Sequence, residues 1–394
     1  MKTLKTLAFA TGMAAMATSM AATGAWSEGL DELDPAVVER LYNKDMLDPA
    51  QPIGASAFRD FVAKNPPPWK IGYASSYAGN TWRAGVMGEL QNTIIPAWKK
   101  AGLLDEVIIT QSNLNDSTQI QQMRQLVDQG VDAIIVCCSN PTALNQTVKY
   151  AYDKGVPVFS LTGYLTSPYS VNSSVNYQQA GFEIGKWMVN EIGGEGNVLV
   201  VEGIPGTSAS DSQDRGVKAG LATSDKVKVV GSIAGMWTDQ VAQGEVQKWL
   251  ATHPGKLDGI VVQSAAEMGV LRAVQQSGRG NVPIAIGGEL GALCYWRQNP
   301  DYISSTFQVW PPADEIQLIW NIMMRTLQGQ GPKVQSVLVD AISIDFSDLE
   351  KLMDEDCNLN NPNWLAVGAE RWGSSDYLDN FFLRPADPMM FSAK

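Results

Sequence analysis

Few residues in this chain have the types and spacing that catalysis needs. The single histidine, His253, stands beside Pro254 and Gly255 after a predicted helix, where a solvent-facing loop residue is the simple interpretation. Without a second histidine, the sequence offers no Ser-His-Asp or Cys-His arrangement and no His-based metal site. Nothing singles out a pair of carboxylates for glycoside hydrolysis, although the sequence does not exclude one. We therefore expect no catalytic residue, no metal and no enzyme activity; the alternative is a secreted hydrolase acting on a glycoside or ester.

A glycine-containing loop from Gly203 to Ser208 resembles a phosphate-binding loop. Its sequence is Gly-Ile-Pro-Gly-Thr-Ser. It lacks the lysine of a P-loop and the third glycine of the dinucleotide fingerprint, which are the parts that hold a nucleotide. We therefore expect no nucleotide cofactor.

Residues suited to binding a polar ligand are more numerous, and they follow predicted strands. Indole rings can stack on the C–H faces of a sugar, while amides, a guanidinium and a carboxylate bond its hydroxyls. Each tryptophan could instead pack in the core, but the positions of Trp82 and Trp237 at strand ends weaken that interpretation. The sequence thus indicates a small polyhydroxylated ligand. The candidate binding residues are Asn80, Trp82, Arg83, Ser139, Thr162, Gln213, Trp237, Gln263, Glu289, Gln308 and Trp310.

A strand–helix alternation from about residue 69 to about residue 345 must position these candidates. In residues 70–90, alternating apolar residues predict a strand that ends at Ala74, and the small polar residues after it predict a loop. The spacing of Trp82, Val86 and Leu90 then predicts one face of a helix. Two series of such units predict an α/β fold with two doubly wound parallel-sheet lobes and a ligand site at the carboxyl ends of the strands. The predicted strands are 70–74, 107–110, 133–136, 157–161, 197–201, 227–233, 259–262, 283–286, 303–307 and 337–342.

The two ends of the chain differ from this alternation. Lys2 and Lys5 precede an apolar run and the small residues before and at Ala25, which is typical of a secretory signal peptide over residues 1–25. A membrane anchor is the weaker alternative, because polar residues interrupt a run too short to span a bilayer. We expect an exported protein, an N-terminal extension at 26–68 and an irregular C-terminal extension at 345–394.

Charge and cysteine content restrict the partners and the redox chemistry. The 394 residues carry a formal net charge of −12 without a basic cluster, which argues against binding nucleic acid. Cys137 and Cys138 end an apolar run and are expected to be buried free thiols. Cys294 and Cys357 could form a disulfide in an oxidising compartment or remain thiols, because the sequence does not show whether they approach each other.

With these residues the chain resembles the ribose-binding-protein family, the periplasmic solute receptors of ABC sugar importers. The resemblance covers about residues 69–342 and depends on the order and spacing of several short pieces. These pieces are Gly79-Asn80-Thr81-Trp82, the predicted helix from Asp116 to Gly130, Lys154-Gly155-Val156-Pro157-Val158, Gly206-Thr207-Ser208-Ala209 and Leu271-Arg272-Ala273.

The resemblance implies two lobes joined by three hinge strands, in a monomeric periplasmic protein that holds a sugar between its lobes and delivers it to an ABC permease. One lobe would comprise residues 69–175 plus 311–338 and the other residues 176–310 plus 339–344. The hinges would lie near Val175, Trp310 and residues 338–342. A LacI-type repressor, which uses the same fold, is disfavoured by the predicted signal peptide and by the lack of a helix-turn-helix before residue 70.

The resemblance also assigns roles to five of the candidates. Asn80 and Trp82 match the hydrogen-bonding and stacking residues of the first loop, and Trp237 matches the aromatic residue of the second lobe. Gln263 matches an amide donor, and Glu289 matches an acidic acceptor for hydroxyl groups.

Other positions depart from the ribose receptor. Thr162 and Gly163 stand where the receptor has Asp-Arg, Gln213 replaces an arginine, Cys137 replaces an asparagine, and Arg83 replaces a second aromatic residue. Loss of the aspartate and the arginine argues against ribose itself. We expect another pentose, a hexose, a polyol or a sugar acid, whose carboxylate could pair with Arg83.

Overall fold

The computed structural model describes residues 29–137, 140–301, 307–309, 311–366 and 374–384. Its strands form in apolar, β-branched segments, as in Ala133–Cys137, which is buried along its whole length as a strand covered on both faces should be. The strands are β1 (Trp69–Ser75), β2 (Leu104–Gln111), β3 (Ala133–Cys137), β4 (Val158–Leu161), β5 (Ser170–Val175), β6 (Gly196–Glu202), β7 (Val227–Ala234), β8 (Gly259–Val262), β9 (Ile284–Ala285), β10 (Phe307–Val309), β11 (Ser336–Val339) and β12 (Ile342–Ile344).

Helices form most of the connections between these strands. Asn80, Asn176 and Thr207 each begin a helix by accepting a hydrogen bond from a backbone N–H of its first turn. The helices are α1 (Pro35–Leu41), α2 (Thr81–Glu89), α3 (Ile95–Lys100), α4 (Asp116–Asp128), α5 (Asn145–Asp153), α6 (Tyr177–Glu191), α7 (Ser208–Leu221), α8 (Asp239–Thr252), α9 (Glu267–Ser277), α10 (Leu290–Gln298), α11 (Pro312–Leu327), α12 (Phe346–Leu352) and α13 (Ser375–Leu378). Short 3₁₀ turns lie at Leu30–Glu32, Lys44–Met46 and Asp379–Phe381, and a π-helical turn at Leu90–Ile94 joins α2 to α3.

The first lobe is built on a six-stranded parallel sheet with the order β11-β5-β4-β3-β1-β2. Successive residues of its strands face opposite layers. Ile134 belongs to the cluster that contains Met123 of α4 and Val148 of α5, whereas Ile135 belongs to the cluster that contains Ile319 of α11. Burial of both faces explains the continuous apolar runs in the sequence.

The second lobe is built on a four-stranded parallel sheet with the order β7-β6-β8-β9, and β10 pairs with β12 in a separate antiparallel ladder. The chain passes between the lobes after β5, after β10 and after β11. The predicted fold class, an α/β protein with two parallel-sheet lobes, is confirmed. The predicted single strand 337–342 is wrong, because β11 and β12 lie in different sheets and the chain crosses between them.

The N-terminal extension covers an edge of the first sheet. The hydroxyl of Tyr42 donates to the carbonyl of Ser336 at 2.6 Å and accepts from the N–H of Leu338 at 3.2 Å. Burial raises the pKa of this hydroxyl. Gln51 donates to the Ser336 hydroxyl at 3.1 Å. Since an edge strand otherwise presents unpaired backbone groups, the extension completes β11 as a neighbouring strand would.

The C-terminal extension is more ordered than expected. It contains α12 and α13, and Cys357 forms a disulfide with Cys294 of α10, with Cα atoms 5.7 Å apart. The predicted signal peptide at 1–25 lies outside the described residues, as does Cys138. Within the described part of the chain, no helix combines the length and hydrophobicity that crossing a bilayer requires.

Candidate functional site

A cavity of about 50 Å³ lies between the lobes, at the carboxyl ends of strands from both sheets. A water molecule needs roughly 10–15 Å³ on this measure, so the cavity holds about three to five waters or a comparably small ligand. The structure brings six of the predicted residues together here, namely Asn80, Trp82, Arg83, Thr162, Gln213 and Trp237. The remaining lining residues are Tyr177, Ala209, Ser264, Ala265 and Trp364.

The first wall is formed by the loop after β1 and the start of α2. The side-chain oxygen of Asn80 accepts the N–H of Arg83 at 2.9 Å, which begins the helix and fixes both residues at the cavity. The Arg83 guanidinium lies 4.9 Å from the centre of the Trp82 ring and donates to the sulfur of Cys137. Asn80 therefore begins the helix with its side-chain oxygen and lines the cavity beside a cationic group and an indole.

Thr162 follows β4 in the same lobe and has a left-handed backbone, with φ of 54°. Its hydroxyl donates to the carboxylate of Glu315 on α11. Trp237 and Ala265 of the second lobe also have positive φ, at 50° and 62°. Such conformations are costly for residues other than glycine and tend to occur at binding sites, where the surrounding structure holds them.

The second wall is formed by Gln213 of α7 and by Trp237 after β7. The Trp237 indole lies directly over Gly203, where a Cβ atom would come well under 3.0 Å from the ring. Gly203 thus leaves the space in which the indole rests. Gln213 is 4% exposed and presents its amide to the cavity from a helix that packs tightly on α6. Each wall thus contributes one indole to the lining of the cavity.

Gln263 lies behind the second wall. Its side-chain oxygen accepts the N–H of Gly203 at 2.9 Å and the hydroxyl of Ser210 at 3.0 Å, and its amide donates to the Ser210 carbonyl at 3.1 Å. These bonds hold the loop that supports Trp237. Gln263 thus supports this loop, and its role as an amide donor to a ligand stays a prediction.

Glu289 lies at the seam between the lobes, beside Thr81 and Asp239 in a neighbouring pocket. Burial raises the pKa of Glu289 to about 8, and the negative charges of Glu267 and Asp239 contribute to this rise. A hydrogen bond from Thr81 acts in the opposite direction and lowers the pKa. Burial likewise raises the pKa of Glu267 to about 7. At neutral pH Glu289 therefore keeps its proton and can donate as well as accept.

Three predicted residues cannot be placed in this way. Ser139 and Trp310 lie outside the described residues, and Gln308 is described only through the backbone of β10. His253 is exposed and stacks on Trp249, with ring centres 4.4 Å apart, as a surface residue would. Among the described residues, no group of three His, Cys, Asp or Glu side chains could hold a metal ion.

Sequence reasoning missed Tyr177 and Trp364. Tyr177 begins α6 just after the first crossing between the lobes, and its position is not the end of a predicted strand. Trp364 belongs to the C-terminal extension, where neither strand alternation nor helical spacing points to a site. Its indole nitrogen donates to the Thr81 hydroxyl at 3.1 Å, and its backbone pairs with Glu289.

Comparison with known proteins relates this chain to periplasmic binding proteins. A family model described as a periplasmic binding protein domain matches residues 71–331. The chain is 30% identical over 181 residues to the xylitol-binding protein of Mycolicibacterium smegmatis, covering 45% of this chain and 52% of that protein. It is 26% identical over 256 residues to the D-xylose-binding periplasmic protein of Escherichia coli, covering 61% and 74%. The chain thus spans about half the length of the first of these relatives.

Solved structures show the same fold. An ABC transporter solute binding protein from Thermobispora bispora has a TM-score of 0.70 at 22% identity, covering 79% of this chain and 95% of that one. A solute binding protein from Bacillus halodurans with bound myo-inositol has a TM-score of 0.62 at 15% identity, covering 73% and 98%. At these identities the likeness concerns the fold.

Proposed function

The chain belongs to the periplasmic binding protein family, and we propose that it is the substrate-binding receptor of an ABC importer for a small sugar or polyol. The observation that carries this proposal is the cavity between the lobes, with Trp82 on one wall and Trp237 on the other. Indole faces from two lobes suit the two C–H faces of a polyhydroxylated ligand. The amides of Asn80 and Gln213 and the Arg83 guanidinium suit its hydroxyl groups.

The proposed mechanism is closure of two lobes on the ligand. The lobes would comprise residues 69–175 plus 311–338 and residues 176–310 plus 339–344, with the three crossings as hinges. A ligand that contacts both walls binds the closed state better than the open one, so it shifts the population toward closure. In this mechanism Gln263 would hold the loop that supports Trp237. A protonated Glu289 would lie where the two lobes meet and take part in the contact between them.

The proposed ligand class follows from the relatives and from charge. Two relatives carry names with xylitol and D-xylose, which supports a ligand of pentose size. Arg83 is 4% exposed, and its positive charge at the cavity supports including sugar acids among the candidates.

The setting of the receptor is proposed from the same family. Relatives in this family are binding proteins, and one is named as periplasmic. We infer a periplasmic protein with a leader at residues 1–25, acting as a monomer and delivering its ligand unchanged to a permease in the inner membrane.

Ligand-dependent stability tests this function. The protein would be scanned thermally with xylitol, D-xylose, D-ribose, myo-inositol and a five-carbon sugar acid, each also recovered and analysed after incubation. We expect at least one to stabilise the protein, by about 2.7 kcal/mol at a hundredfold excess over its Kd, and to be recovered intact. Chemical conversion by catalytic amounts of protein would favour a hydrolase, and absence of any stabilisation would overturn this ligand class.

A further inference from the structure

Residues 357–365, here called the strap, are fixed to the second lobe at both ends. The Cys294–Cys357 disulfide joins the start of the strap to α10. Its far end pairs with the segment that leads into α10. The N–H of Leu290 donates to the carbonyl of Asn363, and the N–H of Gly291 donates to the carbonyl of Asn361. The N–H of Leu365 donates to the carbonyl of Gly288, and all three bonds measure 2.8 to 3.0 Å.

Gly291 allows the strap to lie directly on α10. A Cβ atom at this position would come 2.6 Å from the carbonyl oxygen of Leu359. Because that oxygen belongs to the strap backbone, a side chain could be accommodated only by moving the strap. The contact is therefore specific to glycine.

The strap buries one large side chain, and it does so at the cavity. Of residues 358–366, all of them described, Trp364 is the buried one, at 9% exposure, while Pro362 and Asn363 before it are exposed. Its ring lines the cavity, and its indole N–H reaches the Thr81 hydroxyl of the first lobe. Opening the cleft must break that hydrogen bond or pull the strap from α10.

We propose that the strap is a third wall of the ligand site and that Trp364 contacts the ligand and bridges the lobes; this rests on the proposed receptor function. The ring supplies contact area to a ligand between Trp82 and Trp237, and the N–H holds the strap against the first lobe. The disulfide keeps the ring in place at little entropic cost when the lobes close. Trp364 is thereby a determinant of affinity and of ligand size.

Binding of the panel sugars and polyols to four variants tests the contact. We expect Trp364→Ala to raise the Kd of the best ligand about tenfold or more, as loss of a buried aromatic contact does. Trp364→Phe keeps a ring and loses the N–H, so it should raise the Kd less. Cys357→Ser, which releases the strap, should also raise it. Leu352→Ala removes an exposed side chain of α12, outside the strap, and should leave the Kd unchanged. Equal Kd values for wild type and Trp364→Ala would overturn the ligand contact.

Measurements without ligand keep this inference separate from the receptor function. Hydrogen exchange at the amides of Leu290 and Gly291 should speed up in Gly291→Ala and Cys357→Ser, because the strap supplies their acceptors. Small-angle scattering should show a larger radius of gyration for Trp364→Ala than for wild type. If the wild type binds none of the panel, the proposed ligand class fails, but these measurements still test how the strap is held. Exchange equal to wild type would show that the strap is not fixed to α10. Scattering equal to wild type would show that Trp364 does not bridge the lobes.

Discussion

The carboxylate of Asp48 accepts a hydrogen bond of 2.7 Å from the hydroxyl of Tyr164. Asp48 belongs to the N-terminal extension and Tyr164 to the first lobe, and the same carboxylate accepts from Ser212 and Arg215 on α7 of the second lobe. Asp48 is 3% exposed, so these bonds are largely shielded from water. The N-terminal extension thus joins both lobes on one side of the molecule, as the strap does at the cavity.

Replacing Asp48 should destabilise the protein. Asp48→Asn keeps the size and removes the charge, which leaves Arg215 without its carboxylate. Because Arg215 is half-exposed, we expect a loss of about 1–3 kcal/mol in urea unfolding rather than the larger loss of a fully buried pair. Arg40→Ala is the control: it breaks the more exposed Arg40–Asp340 pair and should cost under about 1 kcal/mol. Equal losses in the two variants would contradict a bridging role for Asp48.

The strand–helix core was predictable because burial of both sheet faces leaves apolar runs, as at Ala133–Cys137, that few other structures explain. The same logic placed Trp82 and Trp237 at the carboxyl ends of strands, one in each lobe. It could not show how the Gln263 side chain is held, because its partners lie 53 and 60 residues away and no local pattern reveals them. Nor could it reveal Asp48 and Trp364, which lie in segments without periodicity and are buried only by tertiary contacts.

Stability without ligand should fall as the pH rises from about 4.5 to about 8. The pKa values of Glu267 and Glu289 rise from 4.5 to about 7 and about 8 on folding, so the native state binds more protons than the unfolded state in this range. Their stabilising contribution is complete below about pH 4.5 and is lost as the pH passes through the folded values.

Thermal unfolding across this range, with Glu289→Gln as the test variant, checks the assignment. Glutamine cannot ionise, so the decline between about pH 5 and 8 should become shallower. Glu245→Gln, an exposed residue paired with Lys248, is the control and should keep the wild-type profile. Superimposable profiles for wild type and Glu289→Gln would show that another group governs the decline.

Gly203→Ala should abolish ligand binding by displacing Trp237. The added methyl group would occupy the place of the indole, so the ring must leave the cavity wall. Trp237→Ala should remove ligand-dependent stabilisation to a similar extent while the unliganded fold stays nearly intact, because the ring is only half-buried. Calorimetric titration with a ligand from the panel measures the first effect and thermal unfolding the second. A collapse of unliganded stability in Trp237→Ala would identify the ring as core.

Helices α6 and α7 pack closely because each carries a Gly-xxx-Gly pair at their contact. A Cβ atom at Gly185 would overlap the carbonyl oxygen of Val217, and one at Gly216 would overlap that of Gln178. Since backbone cannot yield as a flexible side chain does, Gly185→Ala and Gly216→Ala should each cost roughly 1–3 kcal/mol by overpacking.

Gly244 of α8 provides the matched control. Nothing lies within 4 Å of a Cβ built there, so Gly244→Ala should stabilise the protein by about 0.5–1 kcal/mol through helix propensity alone. Urea unfolding should therefore show a lower free energy of unfolding for Gly185→Ala and Gly216→Ala and a higher one for Gly244→Ala. Stabilisation by Gly185→Ala or Gly216→Ala would mean that α6 and α7 can separate without cost. Because α7 carries Gln213, that freedom would also undermine a fixed second wall of the cavity.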